Sequence, residues 1–430
     1  MSKYLNSTIV GIDVASEFSY VAILCPDGHE YRKPFKLVHT RNGFNYLLET
    51  IKKVENEFNM KPIFFMESTG VYHLTLLHFL RDNKFEAFVI NPLVTNSNKN
   101  KDIRKVKSDK RDALNIAKLG KYDDIRVSSD TDVIAFEFKQ LVRNYYRLID
   151  NRADYKKQMS SYLTIYFNGY KKVFRNICCD ASIRILKKYP TPNTILNAPK
   201  EDIINLLLQS KKGMSWSEEK YRQLIKCADE ATFISVPSCI FDTSLQSFIT
   251  LYELVDDEVN SILSSIKAFI KSGNLPSSYA KNISLLQSIT GIGFICAVTL
   301  VAEIGSFEKF KSPKQLVGFI GIDPAVNESG EFKGDRVKMS KRGSRYARRA
   351  LFAATLTAIR TKNNVPENPV IHEYYKVNLK GKKKKVALVA VMHKLTKYLF
   401  AVMRDQKPYT IQNPKEHQVL FLKNHHLTAA

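Results

Sequence analysis

Asp13, Glu67, Asp109 and Asp112 stand where four carboxylates could act together. Asp13 closes the apolar run TIVGIDV and Glu67 closes IFFME. If those runs are strands that pair side by side, both acids leave the carboxyl edge of one sheet. Asp109 and Asp112 lie three apart at the start of SDKRDALNIAKLG, so a helix there puts them on one face. Such a set could hold two divalent cations. Two metals about 3.5–4 Å apart can activate the attacking oxygen of a phosphodiester reaction and stabilise the leaving one, and hard Mg²⁺ (or Mn²⁺) takes carboxylate oxygen. Singly, each acid has an ordinary use at a helix dipole, in a turn or in solvent. Their joint placement at two strand ends and one helix start points to metal.

A second group lies near the other end of the chain. Ser329 precedes Gly330 in a stretch without periodicity, which predicts an exposed loop and a reachable hydroxyl. Lys338, Lys341, Arg342, Arg345, Arg348 and Arg349 follow. A serine attacking a phosphodiester needs charge stabilised on the transferring group, and arginines supply paired donors for it. The same residues would equally serve as a DNA-gripping or solvated face. Ser340 and Ser344 are the neighbouring alternatives for a nucleophile. Upstream, LLQSITGIGFICAVTLVAEIG has the spacing of a helix-hairpin-helix, in which Gly291 and Gly293 would let the backbone approach a phosphate; a plain αα-hairpin fits as well. The lysines at 382–385 read as phosphate contacts of low specificity, and Tyr145, Tyr146, Tyr155, Tyr162, Tyr166 and Tyr170 as packing or base-stacking residues.

The elements that must position these groups change character along the chain. TIVGIDV, SYVAILC and residues 31–38 read as three strands, with CPDGH as the turn between the second and third. Phe44, Leu47, Leu48, Ile51, Val54 and Phe58 keep a helical period, and PIFFME, YHLTLLHFLRD and FEAFVI then read as strand, helix and strand. That order is the order of an RNase H-like α/β domain. SDKRDALNIAKLG predicts a helix capped by Ser108 and closed by Gly120. Charged helical tracts at 136–167 and 245–271 suggest coiled-coil arms, antiparallel within the chain or dimerising, with the proline-bearing KKYPTPNTILNAP as irregular linkage between them. Glycine-punctuated helices follow from Ser284, and the last residues read as a loose tail.

Composition bounds the partners. The 430 residues carry 66 Lys and Arg against 42 Asp and Glu, a formal charge of +24 that favours a polyanion such as DNA, while 44% apolar residues suffice for real cores. Six cysteines form no C-x-x-C pair, which argues against a zinc site or a disulfide framework. No apolar run approaches a membrane span and no signal segment is evident, so the expectation is a cytoplasmic protein without a membrane partner.

GIDVAS, MESTGVYH and KSDKRDALNIAKL resemble, in order, the three acidic motifs of the DEDD transposases of the insertion sequence one-ten family, whose relatives include the Piv DNA invertase. The stretch from ITGIGFICAV to MSKRGSRYARRAL is similar to that family's C-terminal transposase domain. The resemblance implies a RuvC-like domain over 1–125 with Asp13, Glu67, Asp109 and Asp112 as the DEDD set, a helical, coiled-coil and oligomerisation region over 126–280, the C-terminal transposase domain over 281–410, and a tail over 411–430. It implies that Ser329, at the Ser-Gly position, forms a transient phosphoserine link to DNA. The activity implied is cleavage and strand exchange of an insertion sequence by a homo-oligomer, dimer or tetramer, acting on element ends and target, in some members guided by a structured RNA. A site-specific invertase and a metal-dependent junction resolvase-like nuclease are the alternatives.

Overall fold

The computed structural model describes residues 2–67, 71–90, 108–123, 133–236, 240–325, 328–329, 332–333 and 338–411. The chain divides into two compact units, Met1–Thr131 and Asp132–Ala430. In the first, strands β1 (Ile9–Val14), β2 (Phe18–Leu24) and β3 (Glu30–Val38) are followed by helix α1 (Arg41–Phe58), β4 (Ile63–Glu67), α2 (His73–Asp82), β5 (Glu86–Ile90) and α3 (Asp109–Tyr122). Their order in the sheet is β3-β2-β1-β4-β5. The first three strands are antiparallel neighbours, and β4 and β5 run parallel to β1.

Both faces of this sheet are covered, so its central strands are almost continuously apolar rather than alternating. Val10, Ile12, Phe64 and Met66 face a core shared with Leu47, Ile51 and Val54 of α1 and Leu76, Leu77 and Leu80 of α2. Ile9, Ile63 and Phe65 face the other way, toward Ile116, Ala117 and Leu119 of α3. Because side chains alternate along a strand, positions 9, 11 and 13 and positions 63, 65 and 67 share the face that α3 covers. Edge strand β3 instead alternates partly buried with charged, exposed positions, as an unpaired edge requires.

Two glycines set how closely α3 lies on the sheet. A Cβ on Gly11 would stand 2.7 Å from the Ala117 Cβ and closer still to the Ala117 nitrogen and the Ala113 oxygen. Gly120, expected to end the helix, does not: α3 continues to Tyr122, and the bare Cα of Gly120 makes room for the Phe65 ring. The Ser108 cap is present, its hydroxyl accepting from the Arg111 nitrogen at 3.4 Å.

The second unit is helical. Its longest elements, α4 (Val133–Tyr166) and α10 (Phe241–Lys271), pair with each other. Phe138 stacks on Phe269, Arg152 pairs with Asp256, and Tyr162 meets Phe248 and Phe241, so the two run antiparallel within one chain. The far end of the pair, with Met159, Leu163, Leu245 and Ile249, shares a core with α5 (Tyr170–Val173), α6 (Asp180–Lys188), α7 (Pro192–Leu196), α8 (Lys200–Leu208) and α9 (Met214–Ile234). The region read as irregular linkage thus contains α7, started by a reciprocal capping box between Thr191 and Thr194.

The near end, with Phe138, Val142, Ile262 and Ile266, joins α11 (Ser277–Gln287), α12 (Phe294–Ile304), α13 (Pro313–Ile320), α14 (Arg345–Ala358), α15 (Pro369–Glu373) and α16 (Lys384–Asp405). Contrary to the composition reading, α16 is long and apolar enough to cross a membrane, but half of its apolar stretch is buried, with Val391, Leu395 and Leu399 in this core. The residues read as a tail beyond Ile411 lie outside those described.

Candidate active site

Strands β1 and β4 bring Asp13 and Glu67 to one place. The parallel register runs from Ile9↔Ile63 to Ile12↔Met66, and the next position on each strand is Asp13 and Glu67. Both follow the alternation onto the face covered by α3. Glu67 is buried and Asp13 partly exposed.

Helix α3 runs against β1 in the direction that delivers its own acids to the same edge. Its last turn lies where β1 begins, because the buried Lys121 ammonium there donates to the carbonyls of Leu5, Ser7 and Pro26 at 2.7, 3.0 and 3.0 Å. Its middle, Ala113 and Ala117, lies against Gly11. Its first turn therefore reaches the level of Asp13, where Lys110 sits over the ring of Tyr20, the residue that pairs with Asp13 in the register. Asp112 is buried in that turn and Asp109 exposed. Among the described residues no group of three or more His, Cys, Asp or Glu side chains is already gathered into a metal-holding cage. The side chains on the elements that end at this edge are carboxylates and no thiol, the donor type that a hard divalent cation takes.

One further ionisable group of the first unit escaped the sequence reading. His73 opens α2, is buried, and has an Nδ1 without a hydrogen-bond partner. Burial holds its pKa below the ordinary value. The signal available was its place six residues after Glu67, within MESTGVYH.

In the second unit the stretch around Ser329 is a strand pair rather than the expected loop. Strands β6 (Glu328–Ser329) and β7 (Phe332–Lys333) are antiparallel, with Ser329 opposite Phe332. Nearer the helices the Ala325 nitrogen donates to the Lys338 carbonyl at 2.7 Å, Pro324 bridges Met339, and the Ser340 nitrogen donates to the Asp323 carbonyl at 2.8 Å. Periodicity was invisible because each paired run is two residues long. The Ser329 side chain and Gly330 lie outside the described residues.

The two competing serines have partners. The Ser340 hydroxyl donates to Asp323 Oδ1 at 2.6 Å. Ser344 caps α14, accepting from the nitrogens of Tyr346 and Ala347.

The basic cluster divides in two. Lys338, Lys341, Arg342, Arg345 and Arg349 are exposed. Arg348 turns inward, its Nη1 donating to the carbonyls of Ile320 and Gly343 at 2.9 and 2.7 Å, so it holds the end of α13 against the start of α14.

Gly291 and Gly293 join α11 to α12 in a tight turn, beside a cavity of about 330 Å³ reached by Gln287, Thr290 and Thr357. Gly291, at φ 108°, needs its missing side chain for internal reasons, since a Cβ would stand 2.7 Å from the Cβ of Ala358. Of the two, Gly293 is the one whose added Cβ would meet nothing within 4 Å. Of the tyrosines on the first long tract, Tyr146 and Tyr170 are buried, and Tyr162 and Tyr166 pack against Phe241, which is the packing use.

Comparison with known proteins names the class. A transposase profile of the DEDD type matches residues 10–168, and the transposase IS116/IS110/IS902 family profile matches residues 283–376. The chain belongs to the IS110 family of transposases. It is 30% identical over 127 residues to the pilin gene-inverting protein of Moraxella bovis, covering 29% of this chain and 38% of that one. It is 25% identical over 154 residues to the transposase for insertion sequence element IS1111A of Coxiella burnetii, covering 36% and 40%. An uncharacterized 43.6 kDa protein of insertion element IS110 from Streptomyces coelicolor is 21% identical over 232 residues, covering 54% and 53%. The chain thus spans 38% to 53% of the length of these relatives.

Proposed function

We propose that this protein is a DNA transposase or recombinase that cleaves and exchanges strands of an insertion sequence, using divalent metal held by Asp13, Glu67, Asp109 and Asp112 and a serine nucleophile, Ser329. The observation that carries the reading is the delivery of Asp13, Glu67 and the first turn of α3 to one sheet edge. The strand order and the mixed pairing support an RNase H-like, RuvC-like fold for the first unit. Mg²⁺ or Mn²⁺ at that edge would supply charge stabilisation for the attacking and leaving oxygens.

The protein's own contribution is positional. Asp13 and Glu67 are fixed by the β1–β4 register, and Asp109 and Asp112 by a capped helix that Gly11 and Gly120 allow to lie close. In the serine step the Ser329 oxygen forms a bond to phosphorus, the P–O bond to one sugar oxygen breaks, the serine proton passes to a base, and the released sugar oxygen is protonated. Ser329 is preferred to Ser340 and Ser344 on its Ser-Gly position in the family's motif; Ser344 is engaged as the cap of α14.

Incubating purified protein with donor and target DNA in Mg²⁺ tests the proposal. Asp13→Asn and Glu67→Gln should abolish strand exchange and retain much of the DNA binding, which the basic surface supplies. Ser329→Ala should lose exchange and the protein–DNA adduct, whereas Ser340→Ala keeps both. An adduct mapped to Ser340, Ser344 or a tyrosine would overturn the nucleophile.

The identity with the Moraxella pilin gene-inverting protein favours inversion as a second reading, decided by whether the exchanged products are inverted or inserted segments. A dimer or tetramer and a structured guide RNA complete the proposal. A single copy on DNA by light scattering, or exchange that survives ribonuclease treatment, would remove the respective part.

A further inference from the structure

The facing sides of α4 and α14 carry more positive charge than the protein neutralises there. Lys139, Arg143 and Arg147 recur every four residues on α4 and so line one face, while α14 starts with Arg345 and Tyr346 and adds Arg349 one turn on. Lys139 and Arg143 are committed to Glu303: Arg143 donates twice, at 2.6 and 2.9 Å, and Lys139 lies 3.5 Å away. That carboxylate is 1% exposed. Arg349 pairs with Asp150 at 2.7 Å and lies over the ring of Tyr146.

Arg147 and Arg345 have no carboxylate of their own, since Asp150, the acid that acts on Arg345, is paired with Arg349. Arg345 Nη2 donates to the Tyr346 hydroxyl at 2.8 Å, and the Arg147 charge, on the α4 face that lines this spot, also lowers the pKa of that phenol. Among the described residues neither forms an ion pair. Both are exposed. One forked guanidinium group, Arg345, therefore bonds a neutral phenol, with Arg143 over its ring at 5.3 Å and Arg147 one turn beyond Arg143 on the same face of α4. Burial pushes the Tyr346 phenol up, yet Arg345 and Arg147 outweigh it and leave the pKa below the ordinary tyrosine value, so the spot is strongly positive. Arginine pairs with this fork geometry match a phosphate, and a phenol oxygen that accepts from arginine keeps its proton to donate.

We propose that this seam seats one backbone phosphate of duplex DNA, with Arg147 and Arg345 as donors and the Tyr346 hydroxyl as a third. The assignment rests on the reading that the protein acts on DNA, and neither Arg147 nor Tyr346 belongs to the basic run legible in the sequence. RNA shares the phosphodiester, so the test must separate the two.

The full chain is titrated into a fluorescent DNA duplex and, in parallel, a structured RNA hairpin of equal length, in EDTA and over a range of salt. Arg147→Ala with Arg345→Ala should weaken duplex binding roughly 10- to 100-fold and lower the slope of log K against log salt by about 0.9, the value of one phosphate. Lys271→Ala, which removes an exposed charge at the end of α10, should leave the slope unchanged. Lysine at both positions should restore the slope without full affinity, which a merely structural role for the arginines would not produce. Arg147→Gln alone, an exposed change, should cost about 10-fold if the double variant does not fold.

Wild-type slope and affinity in the folded variants would overturn the seam alone, as would a loss confined to the RNA hairpin. A wild-type chain that binds neither probe would overturn the DNA-acting reading and the seam with it.

Discussion

Replacing Gly11 by alanine should damage the acidic edge without touching any carboxylate. The added Cβ would stand 2.7 Å from the Ala117 Cβ, whereas ordinary contact begins at 3.4 Å, so α3 must retreat by at least 0.7 Å; the nearer Ala117 nitrogen and Ala113 oxygen raise that to roughly 1 Å. Overpacking of this kind costs about 1–3 kcal/mol, offset by the roughly 0.5–1 kcal/mol that alanine gains over glycine in a strand. The net loss, on the order of 1–2 kcal/mol, should lower the melting temperature by about 3–8 °C and leave the protein folded. Strand exchange should suffer more than stability, because a shift of about 1 Å in Asp109 and Asp112 relative to Asp13 and Glu67 is the scale at which misplacement costs around 100-fold in rate. Thermal unfolding and single-turnover strand exchange on the same preparation read both quantities, with DNA binding as the control that stays near wild type. A Gly11→Ala protein with wild-type melting temperature and wild-type rate would refute the close approach of α3 to β1 and the placement of its acids.

Two further outcomes follow from buried charge. His73 is held neutral by burial, so below the ordinary 6.5 the unfolded chain takes up a proton that the native chain refuses, and stability falls with pH until the native imidazole itself protonates. His73→Leu should flatten that limb in urea melts between about pH 7 and pH 5, and an unchanged limb would show that His73 is not its source. For Glu303, burial raises the pKa, but the Arg143 hydrogen bond and Lys139 outweigh it and hold the carboxyl below the ordinary 4.5. Its contribution is present above the ordinary value and lost as pH falls through the native one; Glu303→Gln should cost roughly 3–5 kcal/mol at neutral pH and remove this group's share of the acid dependence. A loss under about 1 kcal/mol would mean that Arg143 finds water instead.

Much of the first unit was legible because strand alternation and helix period each run for several residues there, and Asp13 and Glu67 end apolar runs that pairing brings side by side. The sequence could not say which glycine ends a helix and which lets one pack. Gly120 reads as a stop, yet it sits inside α3 under Phe65, a tertiary contact without local signature. Charge alone could not show that Arg348 sends its Nη1 to two carbonyls, a contact that exists because α13 ends beside the start of α14. The pattern of α4 and α10 left open whether their apolar faces meet within one chain or between two; Phe138–Phe269 and Tyr162–Phe248 place that seam inside the chain, so any further copy must use another surface. The clustering of Arg147 and Arg345 about Tyr346 depends on helices about 180 residues apart in sequence, beyond the reach of any local motif.

Metal binding by the four carboxylates of one sheet edge is the step on which the proposed chemistry depends. Crystals grown in Mn²⁺ and measured at the manganese absorption edge test it most directly. Anomalous peaks are expected within about 2–2.5 Å of oxygens from Asp13, Glu67 and at least one of Asp109 and Asp112. Carboxylates lying more than about 10 Å apart, or manganese bound only elsewhere, would contradict it.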